Sequence, residues 1–194
     1  MKSIKWFIVL AALLIVGYKV NGQDFTEQAA NDSSQVFVSG TSTLHNWKEN
    51  LGKFTVTVLV KESNNRDIVF KNIRFSALVG DLKSEAALMD TKTFNALKKD
   101  KYPTITFSSE GETKLQVVEN KFVGKVAGTL TIAGVKKHVF VRIKGIIEDG
   151  KISVSGVYPV SMSEYDIKAP KFLFGTIKAG NDVKVHFSFL FNKI

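Results

Sequence analysis

Apolar and polar residues alternate along most of the chain, and the alternation is clearest near its centre. One face there holds Val126, Gly128, Leu130 and Ile132, and the other holds Lys125, Ala127, Thr129 and Thr131. The next run places Val139, Val141, Ile143 and Ile147 opposite Lys136, His138, Arg142 and Lys144. A period of two is typical of strands that bury one face. Between the runs, Ala133 and Gly134 predict a tight turn, since glycine adopts positive φ without steric cost.

The same alternation predicts about eight strands in all. Besides the two central runs, they lie near residues 36–39, 54–60, 68–79, 104–107, 152–160 and 183–191. No strand alternates with a long helix, so the pattern indicates a mainly β fold, an antiparallel eight-stranded barrel with one short helix. Such a barrel either fills itself with side chains or holds one slender ligand. The 15 phenylalanines favour a large apolar interior.

Three segments of this pattern are less regular. In the third strand, Lys71 interrupts an apolar face made of Val69, Ile73, Phe75, Ala77 and Val79, and Asn64 and Asn65 predict the turn before it. Residues 90–99 predict the short helix, with Asp90 as its N-cap and Phe94 and Leu97 on one face. Residues 165–180 predict a loop with a further turn of helix.

The first residues have the pattern of an export signal. Two lysines precede an apolar run from Trp6 to Val16, and residues of modest size follow up to Gly22. The run is shorter than the roughly 20 residues of a membrane-spanning helix, which disfavours a membrane anchor. We therefore expect a signal peptide at residues 1–22, a flexible leader at 23–34 and one domain at 35–194, in the periplasm or secreted.

Composition narrows the classes of partner. The chain has no cysteine, so it has neither a disulfide framework nor the lipid-attachment cysteine of an exported lipoprotein. Its formal charge of +9 is compatible with peripheral contact with an anionic membrane surface, although such an excess is more often a matter of solubility. The basic residues are dispersed and the aromatics fall mainly on apolar faces, which argues against nucleic acid. No pattern indicates an oligomeric state.

Recognisable catalytic chemistry is missing from the sequence. His45, His138 and His186 are far apart, and neither an HExxH nor a GxSxG motif occurs. We expect no catalytic residues, no metal and no enzyme cofactor. His45 lies beside Trp47, and a structural hydrogen-bonding role is favoured over a ligand-binding role. A hydrolase that uses His45 is the less favoured alternative.

Two motifs carry a resemblance to a known family. Residues 101–107, KYPTITF, are followed about twenty residues later by residues 128–136, GTLTIAGVK. This pair resembles the hallmark of the YceI-like family of bacterial lipid-binding proteins. Residues 89–100 and residues 40–47, GTSTLHNW, are similar to the Bacteroidetes-like branch of that family. The resemblance extends from about Val36 to Asn192.

The resemblance implies a lipocalin-like barrel that encloses an isoprenoid, a quinone or a fatty acid and carries it in the cell envelope without catalysis. We expect the ligand-binding walls to include His45, Trp47, Phe54, Val56, Phe75, Phe94, Leu97, Tyr102, Phe107, Phe172 and Phe174. The polar positions that hold the ligand's head group in the family are not recognisable in this sequence, so the head group stays open. An envelope structural or partner-binding protein with a filled barrel is the second alternative.

Overall fold

The computed structural model describes residues 22–28, 33–63 and 66–192. The predicted signal peptide, except its last residue, and the predicted turn at Asn64 and Asn65 therefore lie outside the described residues. Within the described ranges, no helix combines the length and the apolar character needed to cross a membrane.

Antiparallel strands dominate the described part of the chain. They are β1 (Gly22–Gln28), β2 (Gln35–Ser42), β3 (Trp47–Leu51), β4 (Phe54–Ser63), β5 (Asp67–Leu78), β6 (Leu82–Lys83), β7 (Thr104–Ser109), β8 (Glu112–Gln116), β9 (Lys121–Ile132), β10 (Val135–Glu148), β11 (Lys151–Ser161), β12 (Lys171–Phe172) and β13 (Ile177–Asn192). The eight strands predicted from the alternation correspond to β2, β4, β5, β7, β9, β10, β11 and β13. The mainly β, antiparallel fold is confirmed, with short strands added to the predicted eight.

The strands form one sheet that curls back on itself. Its order is β1-β4-β5-β7-β9-β10-β11-β13-β2-β3-β6, with β8 beside β5 and β12 beside β13. Strands β3 and β6 lie at one end of this order, and β4 and β5 lie near the other. Gly52 and Lys53 join β3 to β4, and the 3₁₀ turn Val79–Asp81 joins β5 to β6. The Gly52 N–H donates to the Asp81 carbonyl at 2.9 Å. These short connections hold the two ends of the sheet together and enclose its apolar face.

The two motifs of the family resemblance meet in this sheet. A Cβ atom at Gly134 would lie 2.5 Å from the Tyr102 ring, and one at Gly128 would lie 2.5 Å from the Phe107 ring. Glycine therefore leaves the space that each aromatic ring occupies. Gly134 has φ +83° and Ala133 has φ +49°, which confirms the predicted turn between β9 and β10. Positive φ at both central residues is the backbone of a type I′ hairpin turn.

A β-bulge in β5 corrects the predicted face of that strand. The register against β4 shifts so that Asn72, which has φ +49°, is an extra residue in β5. Ile68 and Phe70 are buried before the bulge, and Phe75 and Ala77 face the same interior after it. The prediction that Val69 lies on the inward face is wrong, because the bulge exchanges the two faces. The same exchange turns Lys71 outward, where it pairs with Glu112.

The predicted helix begins earlier than expected. Helix α1 runs over Ala87–Ala96, and Ala86 is its N-cap, so the assignment of Asp90 as N-cap is wrong. The Asp90 carboxylate instead accepts hydrogen bonds from the N–H and the hydroxyl of Ser84, at 2.8 and 2.7 Å. Lys83 lies 3.4 Å from its other oxygen. Asp90 therefore ties the first turn of α1 to the segment that leads out of β6.

Two segments predicted to be irregular contain strands. The predicted flexible leader includes β1, which pairs along its whole length with β4. The predicted loop at residues 165–180 contains β12 and the start of β13, and the 3₁₀ turns Met162–Tyr165 and Leu173–Gly175 flank β12. Neither segment has long alternating apolar runs, so edge pairing with a longer strand is the source of their structure.

Candidate functional site

The curled sheet encloses a cavity of about 600 Å³. Eleven of the described strands and helix α1 contribute side chains to its wall, and nearly all of these side chains are apolar. The wall of β13 is typical, with Val183, Val185, Phe187, Phe189 and Phe191 all facing inward. The volume lies within the usual range of protein pockets that hold small molecules. The barrel is therefore hollow, contrary to the filled-barrel alternative.

Seven of the eleven expected wall residues line this cavity. They are His45, Trp47, Val56, Phe75, Leu97, Phe107 and Phe172. Trp47 and Val56 come from β3 and β4, near the two ends of the strand order, Leu97 follows α1, and Phe172 comes from β12. The structure thus brings residues from distant parts of the sequence around one space. Their contact with a ligand stays a prediction.

The other four expected residues are not part of the cavity wall. Phe54 is 3% exposed and packs behind it against the Phe75 and Phe189 rings, 6.0 and 5.8 Å away. Phe94 packs against the core with lysine ammonium groups over its ring. Tyr102 fills the space over Gly134. The Phe174 side chain is fully exposed, because its residue has a left-handed φ of +54° within the Leu173–Gly175 turn.

His45 and Trp47 are held by backbone groups. The Trp47 indole N–H donates to the Thr41 carbonyl at 2.9 Å, and the His45 Nδ1 lies 2.7 Å from the Asn46 carbonyl oxygen. Gly40 lies directly opposite Trp47, and a Cβ at Gly40 would overlap the indole ring. The GTSTLHNW segment is thus held by hydrogen bonds to backbone groups at one end of β2 and β3, although most of its residues are exposed. In the described ranges, no group of three or more potential metal ligands is assembled.

Glu49 is a polar residue of the wall that the sequence-based list missed. Its side chain is 2% exposed, lines the cavity, and accepts a hydrogen bond at Oε1 from the Thr93 hydroxyl at 2.5 Å. Burial raises the pKa of Glu49 above its ordinary value; the Thr93 hydrogen bond opposes this increase and the charge of Asp90 adds to it. The sequence does contain a signal for this position. Trp47, Glu49 and Leu51 alternate along β3, so Glu49 lies between two residues that face inward.

Tyr158 is a second polar residue of the wall. Burial raises its pKa above the ordinary value for tyrosine, and the negative charge of Glu164 adds to the effect. The phenol is therefore neutral at physiological pH.

The mouth of the cavity has an apolar rim. Leu44, Leu88 and Leu173 each line the cavity and are each more than half exposed to solvent. The Thr43 N–H donates to the Lys178 carbonyl at 3.0 Å, which holds the Leu44 loop beside the start of β13. The rim thus joins the β2–β3 loop, the start of α1 and the turn after β12.

Comparison with known proteins gives a consistent fold and family. A family model described as a YceI-like domain matches residues 27–191. Among solved structures, Burkholderia cenocepacia BcnA aligns over 84% of this chain and 98% of its own, with 16% identity and a TM-score of 0.64. A polyisoprenoid binding domain from Saccharophagus degradans aligns over 89% and 99%, with 10% identity and a TM-score of 0.63. The Campylobacter jejuni YceI protein aligns over 98% and 100%, with 18% identity and a TM-score of 0.58. No curated protein sequence matches the chain.

Proposed function

Because the chain belongs to the YceI-like family, we propose that it binds a lipid or isoprenoid chain inside its barrel, without catalysing a reaction. The hollow apolar interior of about 600 Å³ is the observation that carries this proposal. The Saccharophagus degradans domain, which has the same fold, is described as polyisoprenoid-binding. An isoprenoid, a quinone tail or a fatty chain has the slender apolar shape that such a space accepts.

The energetics favour a long chain over a small molecule. Each methylene-like group that leaves water contributes about 0.8 kcal/mol, before the cost of ordering the ligand is counted. An apolar wall has few groups that would lose hydrogen bonds to water when such a chain enters. A long chain therefore gains enough free energy to stay bound through purification.

We further propose that the protein works as an exported carrier, in the periplasm or outside the cell. The pattern of residues 1–22 supports export. The exposed leucines of the rim, with Lys171 and Lys178 directly opposite each other in β12 and β13, suit brief peripheral contact with an anionic membrane surface. Contact at the mouth would let a lipid pass from the bilayer into the barrel without crossing water.

The test is to identify what the protein holds. The protein is purified from its own host without detergent, examined by native mass spectrometry and then extracted with organic solvent. We expect a noncovalent adduct of several hundred daltons and release of an isoprenoid or fatty chain. Repeated preparations without a ligand, together with failure to bind added quinones and fatty acids, would contradict the proposal.

The hydrolase alternative makes a separate prediction. If His45 were a catalytic base, His45→Ala would abolish turnover of a lipid ester. The bond of its ring to the neighbouring Asn46 backbone suits the structural role expected from the sequence. We therefore expect the wild type and His45→Ala to show the same background rate of lipid-ester hydrolysis.

A further inference from the structure

Glu49 is an ionisable residue in a cavity wall that is otherwise almost entirely apolar. It lies in the middle of β3, with its neighbours Lys48 and Asn50 exposed on the outer face. Alternation along β3 therefore directs the carboxyl into the barrel. A buried carboxyl is costly unless it is hydrogen-bonded or paired with a cation. Its partners consequently decide what the cavity can hold at this point.

The partners of Glu49 leave part of the carboxyl unused. Among the described residues, its one hydrogen bond comes from Thr93, and no Lys, Arg or His nitrogen lies within 4 Å. Lys83, on the neighbouring β6, is paired with Asp90. A carboxylate has two oxygens that together accept about four hydrogen bonds. The Thr93 hydroxyl satisfies one of these positions.

The second oxygen remains accessible from inside the barrel. In the described part of the chain, no buried side-chain oxygen lacks a hydrogen-bond partner. Glu49 Oε2 has no such partner among these residues, so it must keep accessible surface. Because the residue is 2% exposed overall and lines the cavity, that surface faces the enclosed space.

We propose that Glu49, oriented by Thr93, is the head-group subsite of the barrel and selects a lipid whose head is an uncharged O–H or N–H hydrogen-bond donor. This inference rests on the proposed lipid-binding function and adds the chemistry of the head. A donor satisfies the second carboxyl oxygen, whereas an ether or carbonyl head presents a lone pair to it. An anionic phosphate or carboxylate head meets a like charge. Lipids with a hydroxyl or amide head therefore fit this subsite.

The test compares two probes that differ in one donor. An equimolar mixture of 1-hexadecanol and 1-methoxyhexadecane is delivered from cyclodextrin at neutral pH, and the bound amounts are read after extraction. The ratio of alcohol to ether on the wild type is divided by the ratio on Glu49→Leu, which cancels the different solubilities of the probes. We expect this quotient to be about ten, the effect of one hydrogen bond to a carboxylate.

Control variants separate the carboxyl from general packing. Asn50→Leu places a leucine at the neighbouring, outward-facing position of β3, which does not line the cavity, and should keep the wild-type ratio. Glu49→Met is the second apolar variant if Glu49→Leu does not fold, and it should give the same quotient.

Each outcome has a distinct meaning. A quotient near one, with both probes bound, overturns the head-group subsite and leaves the lipid-binding proposal in place; water would then satisfy Glu49. A quotient below one overturns it as well, because Glu49 would then act as a protonated donor. If neither probe binds to any variant, the lipid-binding proposal itself fails, and the subsite fails with it.

Discussion

At the scale of single residues, glycines opposite aromatic rings explain why the family motifs contain the residues they do. The Tyr102 ring lies over Gly134, in the turn after β9, and the Phe107 ring lies over Gly128, within β9. An aromatic ring that covers a glycine protects exposed backbone and pins the register of neighbouring strands. Tyr102 and Gly134 are therefore structural, whereas Ile105, Phe107, Leu130 and Ile132 of the same motifs line the cavity.

We predict that Gly134→Ala destabilises the protein more than Gly111→Ala does. Both glycines have positive φ, +83° and +69°, so each variant loses about 1 to 3 kcal/mol to backbone strain. A Cβ at Gly134 also meets the Tyr102 ring at 2.5 Å, whereas one at Gly111 meets no atom within 4 Å. Overpacking should cost Gly134→Ala about 1 to 3 kcal/mol more. Urea unfolding measures both values, and equal losses would contradict the packing of Tyr102 on Gly134.

We also predict a pH dependence for the variant Glu49→Gln. Burial raises the folded-state pKa of Glu49 above its ordinary value, so its ionised form is penalised in the folded state. That penalty is absent below the unfolded pKa, grows as pH rises through the folded pKa, and is complete above it. The facing groups are the Thr93 hydroxyl and the charge of Asp90, which is paired with Lys83. Glu49→Gln should therefore gain stability relative to the wild type as pH increases.

The measurement is the free energy of unfolding in urea at about pH 4 and about pH 7.5. Glu85→Gln is the matched control, since the Glu85 residue is exposed to solvent. A difference between Glu49→Gln and the wild type that shrinks as pH rises would contradict the assigned burial of the carboxyl.

At the scale of elements, the bulge in β5 and the anchoring of α1 shape the wall. The bulge keeps Ile68 and Phe70 on the same face as Phe75, although the spacing between them is odd. Asp90 holds α1 at the barrel, and although burial acts to raise its pKa, the Ser84 hydrogen bonds and Lys83 lower it. Both features set which side chains reach the interior.

We predict that deletion of Asn72 prevents folding, whereas Asn72→Gly does not. Without the extra residue, the part of β5 before the bulge turns over, so Val69 and Lys71 point inward and Ile68 and Phe70 point outward. Burial of an unpaired lysine and exposure of two core residues cost several kcal/mol, close to the whole stability of a domain. Glycine accepts the φ of +49° at position 72 without strain. Circular dichroism and thermal unfolding compare the variants, and a native-like deletion variant would contradict the bulge.

At the scale of the whole molecule, the curl of the sheet creates the space on which the proposed function depends. Short connections from β3 to β4 and from β5 to β6 bring its two ends together. The inward side chains do not meet at the centre, which leaves about 600 Å³. An empty cavity lowers the free energy of unfolding, so this space is not explained by stability alone.

We predict that Val141→Trp lowers lipid occupancy several-fold and that Val123→Trp does not. Val141 lines the cavity from β10, whereas Val123 lies in β9 on the outer face and is 74% exposed. The larger ring takes up volume that the lipid chain needs, although overpacking at position 141 costs about 1 to 3 kcal/mol. Native mass spectrometry reads the bound fraction, and circular dichroism checks that both variants are folded. Equal occupancy in the two variants would place the ligand outside the cavity.

The sequence by itself determined the local features of this protein. Alternation specifies which neighbouring residues share a face, and it therefore predicts the eight long strands. The tight turn at Gly134 follows from glycine's freedom at positive φ, and the paired motifs indicate the family. Each of these depends on interactions within a few residues or on residue identity alone.

Only the tertiary structure decided which faces enclose a space and which residues border it. Phe174 is apolar and lies within an apolar segment, yet backbone conformation directs it to solvent. Glu49 is charged, yet its position in β3 places it inside, where Thr93 reaches it from α1. Strand order, the bulge at Asn72 and the curl of the sheet set these outcomes, because they depend on contacts between residues far apart in the chain.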